Sequence, residues 1–111
     1  MLSGKLLSSS KVDAEFLSKL IQGKIVLSIE TDLAIKHYLK KVDKVNEANE
    51  ILANANIVIF FNEKRFYTAF RSDNEWYLRE YELSSKALEV FVYSKPRGGD
   101  ILKLKDLLGV T

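Results

Sequence analysis

Three β-prone runs, which hold most of the aromatic residues of the chain and are separated by two polar turns, predict an antiparallel β-meander. The runs are residues 56–62, 65–71 and 75–83. If Glu63-Lys64 is a two-residue hairpin loop, Phe61 faces Phe66 across the first pair of strands. The same register places Ile57 opposite Phe70. One face of this hairpin is then rich in large apolar side chains, as expected of a core face.

The length of the second turn, Ser72-Asp73-Asn74, decides which side of the third strand joins that core face. An odd loop places Trp76 and Leu78 with Phe70 in the core, and an even loop exchanges the two sides. We favour the odd loop, because it buries the tryptophan and leaves arginine exposed. The opposite face then gathers seven aromatic and arginine side chains, which we predict to be contact residues: Phe60, Arg65, Tyr67, Arg71, Tyr77, Arg79 and Tyr81.

Helical patterns and one short strand precede the meander. Ser10 followed by Asp13 predicts the start of a first helix, and Gly23 predicts its end. Residues 24–30 alternate as a short strand. A long helix, either in one piece or bent near Asp43, is predicted over residues 31–55, since no Gly or Pro interrupts them and their apolar side chains recur about every 3.5 positions.

The C-terminal part of the chain adds weaker signals. Residues 90–93 are β-branched and aromatic and predict a fourth meander strand, residues 95–99 predict a loop, and residues 100–108 predict a short helix. Strands that cluster without regular alternation with helices indicate the α+β class. The predicted fold is an antiparallel β-meander of three to five strands packed with one long helix and two shorter helices. We interpret residues 1–111 as one domain, with residues 1–9 as a flexible or edge-pairing arm.

Composition excludes several classes of function. The chain has 111 residues and no cysteine, so disulfides, thiolate nucleophiles and cysteine zinc sites are excluded. The net charge of +2 is too small to indicate nucleic-acid binding by itself. No apolar run approaches the roughly 18 residues that span a bilayer, and the N-terminal residues lack a secretory signal pattern. We therefore expect a cytoplasmic protein that does not bind a membrane.

Candidate sites for chemistry are few. His37 is the only histidine, and Glu30 with Asp32 is a weak pair for a metal ion, because helix capping already accounts for Asp32. No constellation predicts an enzyme, a metal site or a cofactor. Four residues of one loop are candidate anion contacts, since they combine positive charge with a glycine-rich helix start: Lys95, Arg97, Gly98 and Gly99.

The sequence therefore favours a small, non-enzymatic protein-interaction or dimerisation module. Its predicted partner is a second copy of the chain or another protein, bound through the aromatic sheet face or the long helix. The alternative is an RNA- or single-stranded-DNA-binding protein in which the same tyrosines stack on bases and the arginines neutralise phosphates. Glu75, Glu80 and Glu82 count against the alternative, because they lie among those arginines.

Overall fold

A six-stranded antiparallel sheet with two helices forms the fold of the computed structural model, which describes residues 4–62 and 65–84. In chain order the elements are β1 (Gly4–Val12), α1 (Ala14–Ile21), β2 (Lys24–Glu30), β3 (Ile35–Val42), α2 (Val45–Asn54), β4 (Ile57–Asn62), β5 (Arg65–Ser72) and β6 (Glu75–Leu83). The strand order across the sheet is β1-β6-β5-β4-β2-β3. The predicted α+β class is confirmed, although the sheet has more strands than the three to five predicted. Neither of the two helices is long and apolar enough to cross a membrane.

The meander forms as predicted in its first hairpin and differs in its second. Phe61 lies opposite Phe66 and Ile57 lies opposite Phe70, which confirms the predicted register. Between β5 and β6 the loop contains two residues, Asp73-Asn74, so the favoured odd loop is wrong. Both loop residues have positive φ, 53° and 64°, as in the type I′ turns that match the twist of a two-residue hairpin.

The long helix predicted over residues 31–55 is wrong, because its first part is the edge strand β3 and only α2 is helical. Val42 of β3 and Leu52 of α2 belong to the same hydrophobic core, and Tyr38 of β3 packs against that core. A spacing of four residues, as between Tyr38 and Val42, places two side chains on one side of a strand as well as of a helix. The apolar spacing therefore did not distinguish the two structures, and pairing with β2 selected the strand.

The start of the first helix also differs from the prediction. Ser10 lies in β1 opposite Leu78, and α1 begins at Ala14. Asp13 is the N-cap, and its side chain accepts a hydrogen bond of 2.7 Å from the backbone N–H of Phe16. Gly23, with a φ of +84°, follows the end of the helix as predicted. The segment predicted as an arm contributes residues 4–9 to β1, which pairs with β6 at one edge of the sheet.

Both helices pack on one face of the sheet, which we call the helix face. The core between the helices and the helix face contains buried side chains from both helices and from five strands: Leu17, Ile21, Val26, Ile29, Val42, Ala48, Ile51, Leu52, Val58, Phe60, Ala69, Trp76 and Leu78. The opposite face, which we call the far face, lies outside this cluster. It is buried as well, because Ile59, Phe66 and Thr68 at its centre are fully withdrawn from solvent.

Candidate functional site

The seven side chains predicted to form one contact surface lie on two faces. The two-residue loop places Arg71 opposite Trp76, so Trp76 and Leu78 lie on the helix face. Phe60, Arg65, Tyr67 and Arg71 share that face, whereas Tyr77, Arg79 and Tyr81 lie on the far face. The prediction that all seven share one face is therefore wrong. The predicted anion contacts at Lys95, Arg97, Gly98 and Gly99 lie outside the described residues.

Phe60 and Tyr67 belong to the interior rather than to an open surface. Phe60 is fully buried, and its ring stacks on that of Tyr67 with centroids 5.0 Å apart. The Lys24 ammonium lies 5.7 Å from the centre of the Tyr67 ring. Burial raises the pKa of the Tyr67 hydroxyl and lowers that of the Lys24 ammonium. These contacts are made within the chain.

Arg65 is held by two carboxylates of the neighbouring strand. Its guanidinium lies 3.4 Å from a carboxylate oxygen of Glu80 and 3.4 Å from one of Glu82. The glutamates that weakened the nucleic-acid alternative therefore neutralise the first arginine of the predicted surface.

Two of the far-face members, Tyr77 and Arg79, pack on the ring of Phe70. The rings of Phe70 and Tyr77 are 5.3 Å apart, and the Arg79 guanidinium lies 5.1 Å from the centre of the Phe70 ring. Tyr81 is buried. Among the described residues, the arginines and tyrosines predicted to form one array are thus divided between the two faces of the sheet.

Arg71, the remaining member, lines a groove between α1, α2 and the β5–β6 loop. We call it the helix groove; its volume is about 810 Å³. Its apolar lining comes from two strands and both helices: Val12, Ala14, Val45, Leu52, Ala53 and Trp76. Its charged lining consists of three positive and three negative side chains: Lys11, Lys19, Arg71, Asp13, Glu15 and Glu75.

Most of these charges already have partners. Lys11 Nζ lies 2.6 Å from a Glu75 oxygen, and this contact raises the pKa of Lys11 and lowers that of Glu75. Lys19 pairs with Glu15 at 3.4 Å along α1. Both pairs are exposed, so each contributes little to stability. Arg71 also lines the groove, but it forms no ion pair with a carboxylate of the described residues.

Neutral groups hold the Arg71 side chain in place. Its guanidinium lies 5.5 Å from the centre of the Trp76 ring. Nη2 donates to the Asn56 side-chain oxygen at 3.1 Å, and Nη1 makes a long contact of 3.5 Å to the Leu52 carbonyl. The Asn56 amide in turn donates to the Asp32 carboxylate, so an amide separates that acid from the guanidinium. The arginine is oriented without being neutralised.

The groove was not predicted, because it needs α1, α2 and the β5–β6 loop together. One sequence signal was available: Asp and Asn adopt positive φ more readily than most residues, so Asp73-Asn74 was a candidate two-residue turn. That turn places Arg71 opposite Trp76. In residues 4–62 and 65–84, no three His, Asp or Glu side chains are grouped closely enough to hold a metal ion.

No protein-family model, curated protein or solved structure matches this chain.

Proposed function

We propose that the chain is a non-enzymatic protein-interaction module that binds a short segment of a partner protein in the helix groove. The observation that carries the proposal is an open groove of about 810 Å³ with an apolar lining and a tryptophan at its base. Volumes of roughly 300–1,000 Å³ are typical of binding pockets. Trp76 is almost fully buried, whereas Val45 at the α2 end of the lining is 51% exposed. A bound segment would cover such an exposed apolar side chain.

The lining supports a protein segment over a nucleic acid. Three positive and three negative lining residues balance, so the groove lacks the excess of positive charge that binds phosphates. Arginine is one of the residue types that dominate protein interfaces, and Arg71 lies in a groove that also has apolar lining residues. Dimerisation through a long helix is not part of the proposal, because residues 35–42 of the predicted helix form a strand. Binding of a second copy of the chain in the groove is one of the outcomes that the sedimentation experiment below distinguishes.

Trp76 supplies the readout, because it is the only tryptophan of the chain and lines the groove. Peptides of twelve residues selected from a displayed random library would be synthesised and titrated into the protein while Trp76 emission is followed. We expect saturable binding with a shift of the emission maximum. Sedimentation velocity at the same concentrations reports whether the protein associates with itself instead.

A matched pair of variants locates the binding. Ala53 and Asn54 are neighbouring exposed residues of α2, and only Ala53 lines the groove. Ala53→Arg should weaken peptide binding at least about 10-fold by occupying the groove, whereas Asn54→Arg adds the same charge elsewhere. Equal binding to both variants would exclude the groove as the site. Binding of a mixed-sequence oligonucleotide at low salt, with a Trp76 shift, would instead favour the nucleic-acid alternative.

A further inference from the structure

Arg71 differs from the other cations that line the helix groove. Lys11 and Lys19 each have a carboxylate within ion-pair distance, whereas Arg71 has only neutral oxygens among its partners in the described residues. A guanidinium has five N–H donors, which is more than its contacts with Asn56 and Leu52 use. The side chain is half-buried, so its charge is less well solvated than that of an exposed arginine.

The surroundings of Arg71 present this charge in a fixed orientation. The guanidinium lies 5.5 Å from the centre of the Trp76 ring, and Asn56 accepts a hydrogen bond from Nη2. A planar guanidinium in a fixed orientation matches the two oxygens of a carboxylate. The three acidic lining residues do not compete for it, because Glu15 and Glu75 pair with lysines and Asp13 caps α1.

From this geometry we infer that the segment bound in the helix groove carries an Asp or Glu side chain whose carboxylate binds Arg71, next to an apolar side chain that packs on the exposed Val45. This inference rests on the proposed function and adds the chemical class of the partner. Recognition then combines the burial of Val45 with one bidentate, charge-assisted hydrogen bond to Arg71.

The probe is an array of acetylated, amidated eight-residue peptides built from Leu, Tyr and Ala, each with Glu, Gln or Lys at one central position. End capping leaves the central side chain as the only charged group. On the unaltered protein we expect the tightest Glu peptide to bind about 10-fold or more tightly than its Gln counterpart, since hydrogen bonds between charged groups are the stronger class. Raising NaCl from 50 to 500 mM should weaken the Glu peptide and leave the Gln peptide nearly unchanged.

Two variants assign the preference to Arg71. Arg71→Met removes the charge and keeps an unbranched side chain, so the Glu and Gln peptides should bind this variant with the same affinity. Arg71→Lys keeps a charge without the planar fork and should retain part of the preference. Thermal unfolding shows whether each variant is folded. The peptide and salt comparisons on the unaltered protein decide the question even if Arg71→Met does not fold.

The outcomes separate this inference from the proposed function. Equal affinity for Glu and Gln peptides on the unaltered protein would overturn the role of Arg71 and leave a groove that binds apolar segments. A preference for Glu that persists in folded Arg71→Met would also overturn it. If no peptide of the array or of the displayed library binds, the proposed function itself fails.

Discussion

Tyr38 and Glu47 join the edge strand β3 to helix α2 through one short hydrogen bond. The Tyr38 hydroxyl donates to the Glu47 carboxylate at 2.7 Å, and Lys40 Nζ lies 3.2 Å from the same carboxylate. Because the bond requires an ionised acceptor and a protonated donor, it lowers the pKa of Glu47 and raises that of Tyr38 to about 12. The fold therefore favours neutral Tyr38 and ionised Glu47.

Tyr38→Phe should lower the free energy of unfolding near neutral pH, and this loss should become smaller at both acidic and alkaline pH. The tyrosine pKa is higher in the folded chain than its ordinary value of 10.0, so the contribution is present below pH 10 and is lost as pH rises toward about 12. The Glu47 pKa is lower than its ordinary 4.5, so the contribution is also lost as pH falls below that value. Urea unfolding followed by Trp76 fluorescence should show the largest difference between protein and variant near pH 7. A constant difference from pH 3 to 12 would contradict this account.

At the scale of elements, a two-residue loop decides which strand residues share a face. The positive φ of Asp73 and Asn74 closes the β5–β6 hairpin without a third loop residue. One residue more or fewer would move Trp76 to the other face of the sheet. The conformation of β3 depends on its pairing with β2. Leu39, with a φ of 49°, lies at the point where the register between β3 and β2 shifts. No glycine marks that irregularity in the sequence, which is one reason why the strand was predicted as helix.

Asn74→Gly and Asn74→Ala should have opposite effects on stability. Glycine adopts positive φ without a steric cost, so Asn74→Gly should keep or slightly raise the free energy of unfolding. Alanine lacks the local side-chain hydrogen bonding of Asn and should lower it by about 1 kcal/mol relative to Gly. Thermal and urea unfolding of the two variants, measured without peptide, test the turn. Equal stability of the two variants would mean that the loop does not hold this conformation in solution.

At the scale of the whole molecule, the sheet is buried on both faces. Phe66 is 0% exposed on the far face, and Phe60 is 0% exposed on the helix face. The sequence had identified only the first of these faces as core and had left the second as a contact surface. Two large apolar interiors on one sheet explain why neither face is available as a flat interface. The helix groove at the border of α1 and α2 is a concave surface lined by described residues.

Phe66→Ala should therefore cost about 3–5 kcal/mol in the free energy of unfolding, as for other large core side chains. The matched control is Phe16→Ala, because Phe16 is 52% exposed on α1 and its removal should cost less than about 1 kcal/mol. If Phe66→Ala does not fold, Phe66→Leu gives a smaller loss in the same direction. Similar losses at positions 16 and 66 would show that the far face is not an interior.

Local patterns in the sequence were enough to predict the α+β class, strand β2, the end of α1 and the register between β4 and β5. These features follow from β-prone runs, a glycine at a positive-φ position and short hairpins, in which neighbours in sequence are neighbours in space. The strand at residues 35–42 and the covering of Phe60 by the helices could be seen only in the folded chain. Folding also brought Arg71 and Trp76 into a groove with α1 and α2. Those outcomes depend on pairing and packing between segments far apart in the chain. The spacing of hydrophobic residues does not show which distant segments come into contact.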